Sequence, residues 1–98
     1  MASFNISIEL RGEIDVAGDY RRLREAMNEN GFRHSISAKS GAKFRLPRDE
    51  FTFSGYLSRN GVLDNVYLLV SNFIPVPGIM VTESAGRVWR GLKEIDLS

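Results

Sequence analysis

The side chains of this sequence best suited to chemistry are cationic. Arg21, Arg22 and Arg24 crowd the early turns of "DYRRLREAMNENGF", where a helix dipole favours acids over cations by about 0.3–1 kcal/mol per exposed charge. Close behind them, Arg33, Lys39, Lys43, Arg45 and Arg48 fall in a stretch, 30–48, that holds no acid. A guanidinium fork matches phosphate geometry, so this set suits contact with phosphodiesters. On the helix, Arg21 can pair with Glu25 and Arg22 can reach back to Asp19, each pair worth about 0.2–0.5 kcal/mol. Arg24 has no acid three or four residues away on either side and is the freest of the three. A solvated charged face is the plainer reading of the same run.

His34 is the single histidine and so the one side chain that titrates near neutrality without perturbation. A metal-independent ribonuclease could use it as an acid–base group. Its parity with Phe32 and Ile36 turns it toward a core, which favours a structural role. The acids are sparse: Glu13, Asp15 and Asp19 follow the first apolar segment, and Asp49 and Glu50 precede the third. Turn and cap duty accounts for them, so neither a metal site nor a cofactor is expected. No Gly-rich phosphate loop and no Ser-His-Asp or HExxH pattern occurs. Without cysteine, disulfides, zinc-thiolate sites and thiol catalysis are excluded.

These groups must be held by a modest scaffold. The 98 residues suffice for one core, and 43% hydrophobic with 26% charged residues is ordinary globular composition. Net charge is +1, distributed as −2 over residues 1–29, +5 over 30–48 and −2 over 49–98. A positive island in a near-neutral protein can meet phosphate or an acidic partner locally. The N-terminus has neither a basic n-region nor a continuous apolar h-region, and no apolar run spans a bilayer. A cytoplasmic protein with no membrane association is the expectation.

Phe4, Ile6, Ile8 and Leu10 alternate with polar residues and predict a half-buried strand. A helix follows, capped by Asp15 or Asp19 and ended by Gly31, with Val16, Tyr20, Leu23 and Met27 as its apolar stripe. Alternation from Phe32 to Lys39 predicts a second strand, "KSGAK" a turn, and Phe51 and Phe53 a third strand, with Pro47 barring a central strand around it. A second helix starts at about Ser58 or Asn60 and buries Leu63, Val66, Tyr67 and Val70. "GIMVTES" reads as a fourth strand. The tail, with Val88, Trp89, Leu92 and Ile95 at helical spacing, could be a helix or an edge strand. The order βαββαβ predicts an α+β, ferredoxin-like two-layer sandwich: one four-stranded antiparallel sheet with two helices on one face. Residues 1–98 form a single domain, of which 84–98 are a C-terminal extension. The other sheet face would show Asn5, Ser7, Arg33, Ser35, Ser37, Thr52 and Ser54. It therefore lacks the aromatic platform on which RRM-type proteins stack bases. Dimerisation through an edge strand or the tail stays open.

"FNISIEL", "DYRRLREAMNENGF" and "FRLPRDEFTFSG" together resemble the GhoS family of antitoxins from type V toxin–antitoxin systems, small proteins of bacteria and prophages. The resemblance covers roughly residues 3–66, and "MVTES" fits the family's last strand loosely. It implies a ferredoxin-like endoribonuclease that cleaves the messenger of a membrane-lytic toxin, with a fold similar to small CRISPR adaptation nucleases. The family implicates an arginine of the first helix, in the frame "RLR" before a methionine. That arginine falls on Arg24, and Arg22 matches its neighbour in the frame. On this expectation Arg24 stabilises the phosphorane-like transition state, while Arg21, Arg22, Arg33, Lys39, Lys43, Arg45 and Arg48 hold the RNA backbone. The competing expectation is a non-catalytic phage or mobile-element protein that engages a host protein or nucleic-acid complex. A small-molecule isomerase or lyase working near Tyr20, His34 or Trp89 has only the fold behind it.

Overall fold

A computed structural model describes residues 1–95; the last three residues of the extension, 96–98, lie outside the described residues. Six strands and two helices follow in the order β1 (Ala2–Glu9), α1 (Val16–Glu29), β2 (Ser35–Ser37), β3 (Lys43–Arg45), β4 (Glu50–Gly55), α2 (Arg59–Ser71), β5 (Gly78–Glu83) and β6 (Glu94–Ile95). The strands make two three-stranded antiparallel sheets, β4-β1-β5 and β2-β3-β6.

The period-two pattern of β1 does what alternation requires. Phe4, Ile6 and Ile8 are buried on one face, and both helices pack there, through Tyr20, Leu23 and Met27 of α1 and Val62, Val66 and Val70 of α2. Phe51 and Phe32 complete this core. Gly31 follows the helix end at Asn30 with φ of +87°, the left-handed position a C′ glycine takes without a Cβ penalty. At the other end of α1, Asp15 sits at the N-cap without a side-chain cap bond. The Asp19 carboxylate accepts from the Asp15 N–H instead, at 3.0 Å. For α2 the Ser58 hydroxyl caps Gly61 N–H at 3.0 Å.

Three expectations need correction, and one alternative is resolved. Val16 stands 47% exposed at the helix start, where no element covers it. In α2 the buried ridge is Val62, Val66 and Val70, at strict four-residue spacing. Tyr67 is 44% exposed and Leu63 only partly covered, because the apolar residues of α2 spread over more than one face and its neighbours decide which is buried. The third correction concerns the single four-stranded sheet. The chain entering β2 meets β4 through the Arg33–Thr52 bridge, with N···O distances of 2.8 and 2.7 Å, and β2 itself through the Thr52 hydroxyl, which donates to the Ser35 carbonyl at 3.1 Å. β2 then leaves to pair with β3, which lies in a segment expected to be turn and loop. A tight connection at Ser40–Gly41, closed by Ala38 and Ala42, places β3 beside β2. Pro47, with no N–H to give, ends the hairpin before β4 begins. The tail, left open between a helix and an edge strand, takes the strand form at β6. Ser84 extends the β5–β1 ladder through Ser3, the chain crosses the helix-free face of β1, and Lys93 to Ile95 pair with β3.

Candidate functional site

Arg24 lies on α1 one turn beyond Tyr20, so the two side chains share a helix face. The Arg48 guanidinium, from the loop between β3 and β4, lies over the Tyr20 ring at 4.3 Å from its centroid. This cation–π contact brings the basic segment onto the helix. Arg24 is partly buried and makes no ion pair among the described residues. Arg22 does pair with Asp19, at 3.9 Å, whereas Arg21 and Glu25 do not close.

His34 completes the arrangement. Its Nδ1 is 2.8 Å from the Glu50 carbonyl oxygen. A carbonyl only accepts, so Nδ1 carries the proton and the neutral ring keeps its lone pair on Nε2. The ring packs against Phe51 with centroids 5.1 Å apart, which agrees with the parity that turned it toward the core. Burial holds its pKa below the ordinary value of about 6.5. The bond to Glu50 opposes this, the positive charges of Arg24 and Arg45 add to it, and Asp49 opposes. An imidazole felt by both guanidinium groups joins Arg24, His34 and Arg45 in one electrostatic neighbourhood, with Arg48 next to it on Tyr20. At neutral pH this supplies a free-base nitrogen in the field of two permanent cations, Arg24 and Arg45. Such a set can take a proton from a hydroxyl and stabilise charge on a phosphoryl group.

The remaining candidates are dispersed. Arg21 and Arg22 are exposed on α1. Lys39 is at the tip of the β2–β3 hairpin, and Lys43 is opposite Ser37 in its ladder. Arg33 is opposite Thr52 on the helix-free face of the sheet, so it points away from Arg24. Among the described residues, no three acids or histidines come together as metal ligands, and no helix is long and apolar enough to cross a membrane.

Sequence reasoning did not single out Arg87. Its Nε donates to Asn5 Oδ1 at 2.8 Å, from the tail to the outer face of β1, while its Nη2 is buried with no hydrogen-bond partner. The contact spans 82 positions of sequence, and no local pattern announces it.

No protein-family model matches the chain, and no curated protein matches it.

Proposed function

We propose that this protein binds RNA through the face built by Arg24, His34, Arg45 and Arg48 and cleaves it without a metal, in the manner of the GhoS antitoxins that its sequence resembles, with a toxin messenger as the target. The observation that carries the reading is the tautomer of His34. Its Nδ1–H is engaged by Glu50, and the Nε2 lone pair is kept unprotonated at neutral pH by burial and by Arg24 and Arg45.

In the reaction, Nε2 takes the proton of a ribose 2′-hydroxyl and the 2′-oxygen attacks the adjacent phosphorus. The P–O5′ bond breaks as the imidazolium returns its proton, through water, to the leaving 5′-oxygen. The products are a 2′,3′-cyclic phosphate and a 5′-hydroxyl, so atoms and charge balance. Arg24 stabilises the extra negative charge at phosphorus, and Arg45 and Arg48 hold flanking phosphates.

The test is incubation with mixed cellular RNA and analysis of the new ends. Arg24→Ala, which removes no packed core atom, is expected to lower cleavage by about 10²–10³-fold with an unchanged thermal melt. Full activity in that variant overturns the role. Intact RNA together with tight capture of a single host protein favours the non-catalytic binding module instead.

A further inference from the structure

Away from Arg24 and His34, on the sheet face that carries no helix, the C-terminal tail roofs two adjoining cavities. One, of ≈ 350 Å³, is lined by Arg33, Ser35, Ser37, Thr52 and Ser54. The other, of ≈ 450 Å³, is bounded by Leu46, Pro47, Val88, Trp89 and Leu92. Arg87 and Ile36 line both and so stand at their junction.

Three features distinguish the junction. The Arg87 guanidinium is fixed by its bond to Asn5, yet Nη2 is buried and unpaired. A buried donor on a charged group is expensive to leave unmatched, and among the described residues no carboxylate pairs with it. Secondly, the 350 Å³ cavity holds two arginines and four hydroxyl side chains and no acid, a lining that suits a tetrahedral oxyanion. Thirdly, the neighbouring cavity sets the apolar side chains of Leu46, Pro47, Val88 and Leu92 among polar Asn5, Glu50 and Arg90, and it carries the indole of Trp89, whose ring centroid lies 5.7 Å from that of Phe44. A flat aromatic ring can pack there.

We propose that this cleft is a binding site for a nucleoside 5′-monophosphate, with the phosphate on Arg87 and Arg33 and the base in the Trp89 cavity. Both volumes lie within the range of small-molecule sites. The site uses a different set of arginines from the RNA reading, although Glu50 and Phe51, which hold His34, also border the Trp89 cavity.

Trp89 is the sole tryptophan, so its fluorescence reports on this cleft. The full-length protein is titrated with adenosine and uridine 5′-monophosphates, inorganic phosphate and the free nucleosides, and stoichiometry is checked by calorimetry. A saturable one-to-one change with a nucleotide is expected, with phosphate or nucleoside alone at least about tenfold weaker, since each lacks one half of the contacts. Arg87→Gln is expected to weaken nucleotide binding at least about tenfold. Because Arg87 also ties the tail to Asn5, Arg33→Gln serves as a second variant; its exposed side chain can be lost without disturbing the fold, and several-fold weaker binding is expected. Arg24→Ala is expected to bind the nucleotide as the wild type does, which separates a failure here from a failure of the RNA face. The proposal is overturned by no saturable change, by equal binding of nucleoside and nucleotide, by unaltered affinity in Arg33→Gln and folded Arg87→Gln, or by loss of binding in Arg24→Ala.

Discussion

At the scale of single residues, protonation of His34 decides what the candidate site can do. Its folded pKa is lowered, so protonation on acidification occurs at lower pH in the folded protein than in the unfolded chain. Cleavage that needs the Nε2 lone pair should hold level at pH 7 and above. It should fall as pH drops through the folded value, below the ordinary 6.5 or so. A rate–pH profile tests this, and His34→Gln should lose the acid limb along with about 10²–10⁴-fold of rate. Linkage gives the same group a second readout. Between the folded value and about 6.5 the unfolded state binds more protons, so stability must decline as pH falls through that window. The decline should be absent in denaturant melts of His34→Gln. Neither effect needs a metal.

At the scale of elements, the helices and the second sheet are expected to respond differently to mutation. Leu23 is fully buried beside Arg24, so Leu23→Ala should destabilise the whole domain by about 2–5 kcal/mol, read by chemical denaturation. The second sheet hangs on short ladders and on the Phe44–Trp89 contact. Trp89→Ala should therefore speed amide exchange at Arg45, whose N–H is held by the Lys93 carbonyl. Amides of Ile6 and Ile8 in the central strand should keep their protection. Equal acceleration at both places would mean that the two sheets open as one unit.

Across the whole molecule, the charge pattern is divided by the sheet. Arg24, Arg45 and Arg48 serve the helix side and Arg33 and Arg87 the tail side, so the +5 of segment 30–48 is not one continuous patch. If three cations of the helix side meet RNA phosphates, the logarithm of affinity should fall with the logarithm of salt at a slope of about −2, on the single-strand value of roughly −0.7 per contact. Filter binding over a salt series measures it. A slope several units steeper would show that the dispersed cations Arg21, Arg22, Lys39 and Lys43 bind as well.

What could be read from the chain alone was whatever repeats locally. Strict alternation in β1, the stripe Tyr20, Leu23 and Met27, the start of α2 near Ser58 and the glycine after α1 were all legible, since each depends on neighbours within a turn or two. The inward parity of His34 and the freedom of Arg24 from helical partners were legible for the same reason. Local pattern failed where it was weak or where the partner was far away. The three-residue strand β3 is too short to show a period, and α2 is apolar on too many sides to declare its buried one. Folding alone decided that β2 leaves β4 after one bridge, that the tail crosses the sheet, and that Arg87 meets Asn5. It also decided that a lone histidine feels the charge of two arginines from different elements. Such encounters depend on which chain segments close on one another, and the free energy that selects them comes from packing summed over the whole core rather than from any stretch of sequence.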